Sequence, residues 1–98
     1  MAERRYQVSW LPGARDTLQE LAQKAREVGL LDALTQALTE LTERLEREPL
    51  EVGELYRTRG NIVSHAGAHK LVGIDFAVDT ERKYVAVGRC WALATGGL

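Results

Sequence analysis

A set of basic side chains occupies the second half of the chain and could bind a phosphate group. The set contains three arginines, one lysine and two histidines: Arg57, Arg59, His65, His69, Lys70 and Arg89. Tyr56 and Tyr84 lie close to it in sequence. Arginine suits phosphate oxygens because its planar guanidinium donates two parallel hydrogen bonds. Metal-free RNA cleavage uses such groups, since one must accept the proton of the 2′-hydroxyl, another must protonate the leaving oxygen, and cations must stabilise the phosphate.

For this chemistry, the predicted catalytic residues are Lys70, Arg89 and His65. Lys70 and Arg89 are predicted to bind the phosphate, and His65 to carry a proton. The residues predicted to bind the substrate around them are Arg57, Arg59 and Tyr84. The alternative is that all of these residues are ordinary solvated positions on strands.

The distribution of charge is uneven along the chain. No acidic residue occurs from Arg57 to Ile74, and the acidic residues concentrate on the predicted helices. The formal net charge of −1 argues against a generic nucleic-acid binder, which usually carries a clear basic excess. Two interpretations stay open: a local cationic patch for an anion, or a hairpin that lacks acidic residues by chance.

Other site chemistries have little support in the sequence. His65 and His69 are four residues apart, which is ligand spacing on a helix but not on a strand hairpin, and a single cysteine cannot form a ligand pair. The glycines fit neither phosphate-loop spacing, and no Gly-x-Ser-x-Gly sequence occurs. Cys90 beside a histidine could be a thiol nucleophile, but a lone cysteine on a strand is more often a small core residue. We therefore predict no metal and no cofactor.

The elements that position the basic set follow from the hydrophobic periodicity. Alternation from Tyr6 to Leu11 predicts a strand. Apolar residues at spacings of three and four predict helices over 14–28 and 31–46, and the short connection between them favours an antiparallel hairpin. The leucine seam of the second helix spans too few heptads for a coiled coil, so we predict that it lies in the core. Glu40 and Arg44 have the spacing of an i,i+4 ion pair.

After Pro49 the chain is strand-like to about Leu93. The predicted strand segments are 52–58, continued after Gly60-Asn61 over 62–66, then 71–78 and 84–93. Gly67-Ala68 and residues 79–82 are predicted turns, and residues 94–98 a frayed tail. The prediction is one α+β domain over residues 1–98, in the order β-α-α-β-β-β. Its helical hairpin packs on one face of a mainly antiparallel sheet, with the first strand at an edge or beside the last strand.

Strand alternation predicts which of these side chains reach a substrate. Regular alternation places Lys70 and Arg89 on the face that the helices cover, with Trp91 in phase with Val87. A strand end or a β-bulge could redirect either basic residue. The same alternation places three residues on the open face: Asp75, Tyr84 and Cys90.

The chain resembles the RelE/ParE superfamily of type II toxins, the plasmid-stabilisation type, from about Tyr6 to Leu93. The resemblance lies in the opening strand and turn (6–14), the helical hairpin, and three later segments: 48–54, 71–79 and 82–89. Where the family often has an arginine at the start of the third strand, this chain has Lys70. The family often has a basic or His-Arg pair near the end of the fourth strand, and this chain has Gly88-Arg89 there. Just after that position, RNA-cleaving members commonly carry a catalytic tyrosine or histidine. This chain has Cys90-Trp91-Ala92-Leu93 instead.

The resemblance implies a toxin that either cleaves messenger RNA on the ribosome or poisons DNA gyrase, and that an antitoxin segment silences. Three functions stay open: a toxin-like endoribonuclease or its degenerate descendant, a non-catalytic binding protein that acts on gyrase or only partners an antitoxin, and a homo-oligomeric structural domain. A chain of 98 residues buries a modest core, which is compatible with a homodimer. The single cysteine and the lack of a signal-peptide pattern predict a cytoplasmic protein, and no apolar run predicts a membrane helix.

Overall fold

The computed structural model describes residues 5–93. The elements, in chain order, are β1 (Gln7–Trp10), α1 (Pro12–Glu27), α2 (Leu31–Arg47), a 3-10 turn (Pro49–Glu51), β2 (Glu54–Arg59), β3 (Ile62–His69), β4 (Val72–Asp79) and β5 (Tyr84–Ala92). The predicted α+β class and the helical hairpin are confirmed. Four strands follow the helices where the predicted order had three, because the break at Gly60 separates two full strands. The predicted frayed tail lies outside the described residues.

The five strands form one sheet in the order β1-β5-β4-β3-β2. Only β1 and β5 run parallel, and every other neighbouring pair is antiparallel. β1 thus lies at an edge and beside the last strand, as predicted. β2 forms the opposite edge.

The two helices cover one face of the sheet, which we call the helix face; the other is the open face. The leucine seam of α2 lies in the core, as predicted: Leu34, Leu41 and Leu45 are buried. They pack with the buried strand residues Val72, Ile74, Phe76, Val78, Val85 and Val87. Each such side chain contributes about 1.5–3 kcal/mol on burial, so this layer holds the hairpin on the sheet. Neither described helix has the length and apolarity needed to cross a lipid bilayer.

A β-bulge in β5 reverses the alternation of that strand. Asp75 pairs with Arg89 and Phe76 with Val87, which leaves Gly88 as the extra residue. Beyond a bulge, each side chain points to the opposite face from the one regular alternation gives. Cys90 is therefore buried, with its thiol 3.5 Å from the Ala14 carbonyl oxygen on α1. The predictions that Cys90 lies on the open face and that Trp91 stays in phase with Val87 are wrong.

The turns differ from the prediction at one place. Residues 79–82 form the predicted hairpin turn, in which an Asp79 carboxylate oxygen accepts hydrogen bonds from the backbone amides of Glu81 and Arg82. The predicted turn at Gly67-Ala68 is wrong, because β3 continues to His69. Gly67 instead permits a close approach: a Cβ atom there would lie 3.0 Å from the Cα of Gly53.

Candidate functional site

Asp75 stands on the open face between two partners from neighbouring strands. The Tyr56 hydroxyl donates a hydrogen bond of 2.5 Å to its Oδ1 atom. The Nε atom of Arg89 lies 3.7 Å from its Oδ2 atom. Asp75 therefore joins an aromatic hydroxyl on β2 to a guanidinium on β5.

Two β-bulges bring these side chains together. Tyr56 is the unpaired residue of β2, between the pairs Leu55–His65 and Arg57–Ser64. Arg89 directly follows the unpaired Gly88 of β5. Because a bulge re-aims the side chains around it, Tyr56 and Arg89 both reach the open face beside Asp75. The site therefore depends on two local irregularities, one on each side of β3 and β4.

A shallow cavity of about 210 Å³ surrounds this cluster. Its lining residues are Leu11, Tyr56, Ser64, Asp75, Phe76, Ala77, Ala86, Gly88 and Arg89. Ser64, Ala77 and Ala86 occupy neighbouring positions on three adjacent strands, and their small side chains leave the depression. Pockets for drug-sized ligands are typically about 300–1,000 Å³. This cavity is thus sized for one small group, such as a single phosphate of a longer ligand.

Two more arginines lie on the open face at the β2 edge. Arg57 pairs with Ser64 across the sheet, and Arg59 pairs with Ile62. Cross-strand partners share a face, so both arginines lie on the open side, and both are exposed. Within residues 5–93, neither arginine forms an ion pair, whereas Arg89 faces Asp75 but keeps a largely exposed side chain. Tyr84 pairs with Asp79 at the end of the same face.

Lys70 does not join this cluster. It lies in the β3–β4 turn with a φ of 56°, and its ammonium is 2.7 Å from the Glu40 carboxylate on α2. The Nε2 atom of His69 is 3.1 Å from the same oxygen. These contacts lower the pKa of Glu40, with Lys70 the larger cause and His69 the smaller. Glu40 therefore does not form the predicted pair with Arg44, which lies 3.6 Å from Glu48 instead.

His65 lies in the core rather than on the open face. Its side chain is 5% exposed and its ring stacks on Phe76 with the centroids 5.5 Å apart. The Nδ1 atom is 3.1 Å from the Val52 carbonyl oxygen, and it carries the proton in this contact because a carbonyl only accepts. This environment does not fit the predicted role of proton carrier, since no substrate on the open face can reach the ring. Of the three predicted catalytic residues, the open face holds only Arg89.

The sequence prediction did not assign the Tyr56–Asp75 pair to the site. Asp75 gives a usable signal, because it is an acidic residue between apolar ones on a strand whose other face is buried. Its hydrogen-bond partner Tyr56 could not be identified from the sequence, because no sequence pattern indicates the bulge in β2. The pair also leaves a titration signature: the hydrogen bond to Asp75, followed by desolvation, raises the pKa of Tyr56.

The open face can therefore offer three kinds of group to a ligand. Arginines supply positive charge, Tyr56 is a protonated donor at neutral pH, and Asp75 is an acceptor.

Burial raises the pKa of the Cys90 thiol, which disfavours the thiolate needed for nucleophilic attack. Among residues 5–93, no group of three or more histidine, cysteine or acidic side chains is placed to hold a metal ion.

Solved structures give the fold a precedent. No protein-family model and no curated protein sequence matches the chain. A chain of the toxin–antitoxin complex RelBE2 from Mycobacterium tuberculosis superposes with a TM-score of 0.67 at 22% identity, covering 95% of this chain and 97% of that one. A chain of the archaeal RelE–RelB complex from Pyrococcus horikoshii superposes with a TM-score of 0.69 at 14% identity, covering 92% and 97%. The chain therefore has a RelE-type toxin fold, reached through a divergent sequence.

Proposed function

We propose that the protein is the toxin-like component of a type II toxin–antitoxin system and that it acts on RNA through the open face of its sheet. The observation that carries this proposal is the placement of Arg57 and Arg89 beside the Tyr56–Asp75 pair, with Arg59 farther along the same face, which no described helix covers. The likeness to chains of toxin–antitoxin complexes supports it. The partner is an antitoxin protein, and the site of action is the cytoplasm.

In this proposal a backbone phosphate occupies the cavity beside Asp75. The Arg89 side chain is 76% exposed, and exposed ion pairs contribute only about 0–1 kcal/mol. The Arg89 guanidinium can therefore leave Asp75 and bind a phosphate group with little loss of free energy. Tyr56 is more than half exposed, and its ring offers a surface on which an unpaired base can stack.

The proposed reaction is transfer of the phosphate from the 5′-oxygen to the adjacent 2′-oxygen. Asp75 accepts the proton of the 2′-hydroxyl as that oxygen attacks phosphorus. The bond to the 5′-oxygen breaks, and Tyr56 gives its proton to the leaving oxygen. Arg57 and Arg89 stabilise the charge that develops on the phosphate oxygens. The products carry a 2′,3′-cyclic phosphate and a 5′-hydroxyl.

Incubation of the purified protein with ribosomes and messenger RNA tests the cleavage. We expect RNA fragments with 5′-hydroxyl ends, and we expect Tyr56→Phe and Asp75→Asn each to lower the rate. Tyr6→Phe is the matched control, because Tyr6 lies against Lys83 and away from the open face. RNA that stays intact under saturating protein would contradict the nuclease.

The non-catalytic alternative is favoured by the surroundings of the groups that could transfer a proton. Both histidines lie away from the open face: His65 is buried and His69 is held by Glu40. Asp75 is also already engaged by Tyr56 and Arg89. A non-catalytic protein of this kind would bind RNA or gyrase without breaking a covalent bond. It would leave RNA intact, and its gyrase version would inhibit supercoiling.

A further inference from the structure

The β2 strand is an edge with an unusual surface. All six of its residues are exposed, and in the described part of the chain no strand pairs with its outer side. Leu55 and Tyr56 are both more than half exposed, and Leu50, just before β2, is nearly so. An edge strand presents unpaired backbone amide and carbonyl groups with which another chain can pair.

The β2 bulge gives this edge a two-fold symmetric pattern. In a regular strand of six residues, the first and last side chains point to opposite faces. The bulge at Tyr56 shifts the alternation by one residue. Glu54 and Arg59 consequently share the open face, through their partners Ala66 and Ile62, while Leu55 and Thr58 share the helix face. Tyr56 and Arg57 both lie on the open side, so the pattern reads the same from either end.

We propose that β2 pairs antiparallel with β2 of a second copy, about a two-fold axis between Tyr56 and Arg57. In this register Glu54 lies opposite Arg59 of the partner subunit, and the pairing occurs twice by symmetry. Opposite charges in directly facing positions stabilise a strand pair, and like charges destabilise it. Tyr56 lies opposite Arg57 of the partner subunit, a combination that allows a cation–π contact.

The facing pattern selects this register over its neighbours. A shift of one residue in either direction places open-face side chains opposite helix-face side chains. A shift that centres the axis on Arg57 also brings Arg57 opposite Arg57 of the partner subunit. Of these three registers, the one centred between Tyr56 and Arg57 alone matches faces and charges together, and it is self-complementary as a two-fold interface requires.

The dimer has a consequence for the open face. A two-fold axis perpendicular to the sheet keeps both open faces on the same side. The two five-stranded sheets then form one continuous sheet, with Arg57 of each copy close to the axis. This inference does not depend on the proposed action on RNA, because it rests on the pairing of β2 alone.

Light scattering during size-exclusion chromatography, over a range of protein concentrations, tests the dimer. We expect a mass of about twice 10.9 kDa at high concentration that falls toward 10.9 kDa on dilution. Glu54→Arg places like charges opposite each other twice, so we expect dimer affinity to fall about tenfold or more. Arg59→Glu has the same effect, and the double variant Glu54→Arg with Arg59→Glu restores the dimer.

Glu20→Arg is the matched control, because it makes the same charge change on the exposed surface of α1 and should leave the mass unchanged. Circular dichroism checks that each variant stays folded. A protein that is monomeric at every concentration overturns the proposal. A dimer that Glu54→Arg leaves intact, or that the double variant does not restore, also overturns it.

Discussion

The Nε atom of Arg89 lies 3.7 Å from the Oδ2 atom of Asp75, and the two side chains meet because the bulge at Gly88 turns Arg89 onto the open face. The Arg89 side chain is largely exposed and lies at a long distance from the carboxylate, so the pair is weak. In our account Asp75 has two effects on RNA. It competes with phosphate for Arg89, and it accepts the proton of the attacking hydroxyl.

Asp75→Asn should separate these two effects. Removal of the carboxylate frees Arg89, so we expect RNA affinity to rise about two- to fivefold, the range that an exposed ion pair allows. Cleavage should fall, since the amide cannot accept the proton. Fluorescence anisotropy with labelled RNA measures the first change, and fragment yield measures the second. Asp32→Asn, in the exposed first turn of α2, is the control; equal affinities for wild type and Asp75→Asn would contradict the competition.

The pKa of Tyr56 should lie above the ordinary tyrosine value. The hydrogen bond to Asp75 raises the pKa of Tyr56, so Asp75→Asn should lower that pKa toward its ordinary value of about 10. The contribution of the Tyr56–Asp75 hydrogen bond to the stability of the folded protein is complete below the ordinary tyrosine pKa. It is lost as the pH rises through the higher pKa of the folded state. The difference in phenolate absorbance between wild type and Tyr56→Phe isolates this residue. A midpoint that Asp75→Asn does not move would show that the hydrogen bond is absent in solution.

The Glu40 cluster should stabilise the β3–β4 turn against α2 in a pH-dependent way. Lys70 and His69 lower the pKa of Glu40, so the stabilisation is present above the ordinary glutamate pKa and is lost as the pH falls through the lower folded value. We expect Glu40→Gln to lower the urea midpoint at neutral pH and to have little effect in strong acid. Glu43→Gln, which removes an exposed pair with Arg47 on the same helix, should change the midpoint less. Equal losses for the two variants at neutral pH would contradict a bridging role for Glu40.

Gly53→Ala should destabilise the protein more than Gly60→Ala does. Both glycines have a positive φ, 66° and 61°, so each alanine carries a similar backbone cost of about 1–2 kcal/mol. Only at Gly53 would the new Cβ also overlap a neighbour, at 2.1 Å from the Ala66 carbonyl oxygen, whereas Gly60 faces open space. Urea unfolding of both variants measures the difference. Equal losses would show that Gly53 does not approach Ala66 so closely.

The sequence was sufficient for the architecture but not for the site. Periodicity identified both helices and the leucine seam of α2, because long amphipathic patterns are the most reliable local signal. It misplaced Cys90 and Trp91, because the bulge at Gly88 is set by pairing between strands rather than by local sequence. The same holds for Tyr56, whose contact with Asp75 spans 19 positions. Charge and the family resemblance both group Lys70 with Arg89, but its partner Glu40 lies 30 positions away on a different element.

The central claim is that the open-face arginines bind RNA, and the salt dependence of RNA affinity tests it most directly. Each phosphate contact contributes about 0.7 to the slope of log affinity against log salt for single strands. We expect the triple variant Arg57→Gln, Arg59→Gln and Arg89→Gln to reduce that slope by about two, and a triple glutamine variant of the helix residues Arg15, Arg26 and Arg47 to leave it nearly unchanged. Equal slopes for the two triple variants would contradict the account.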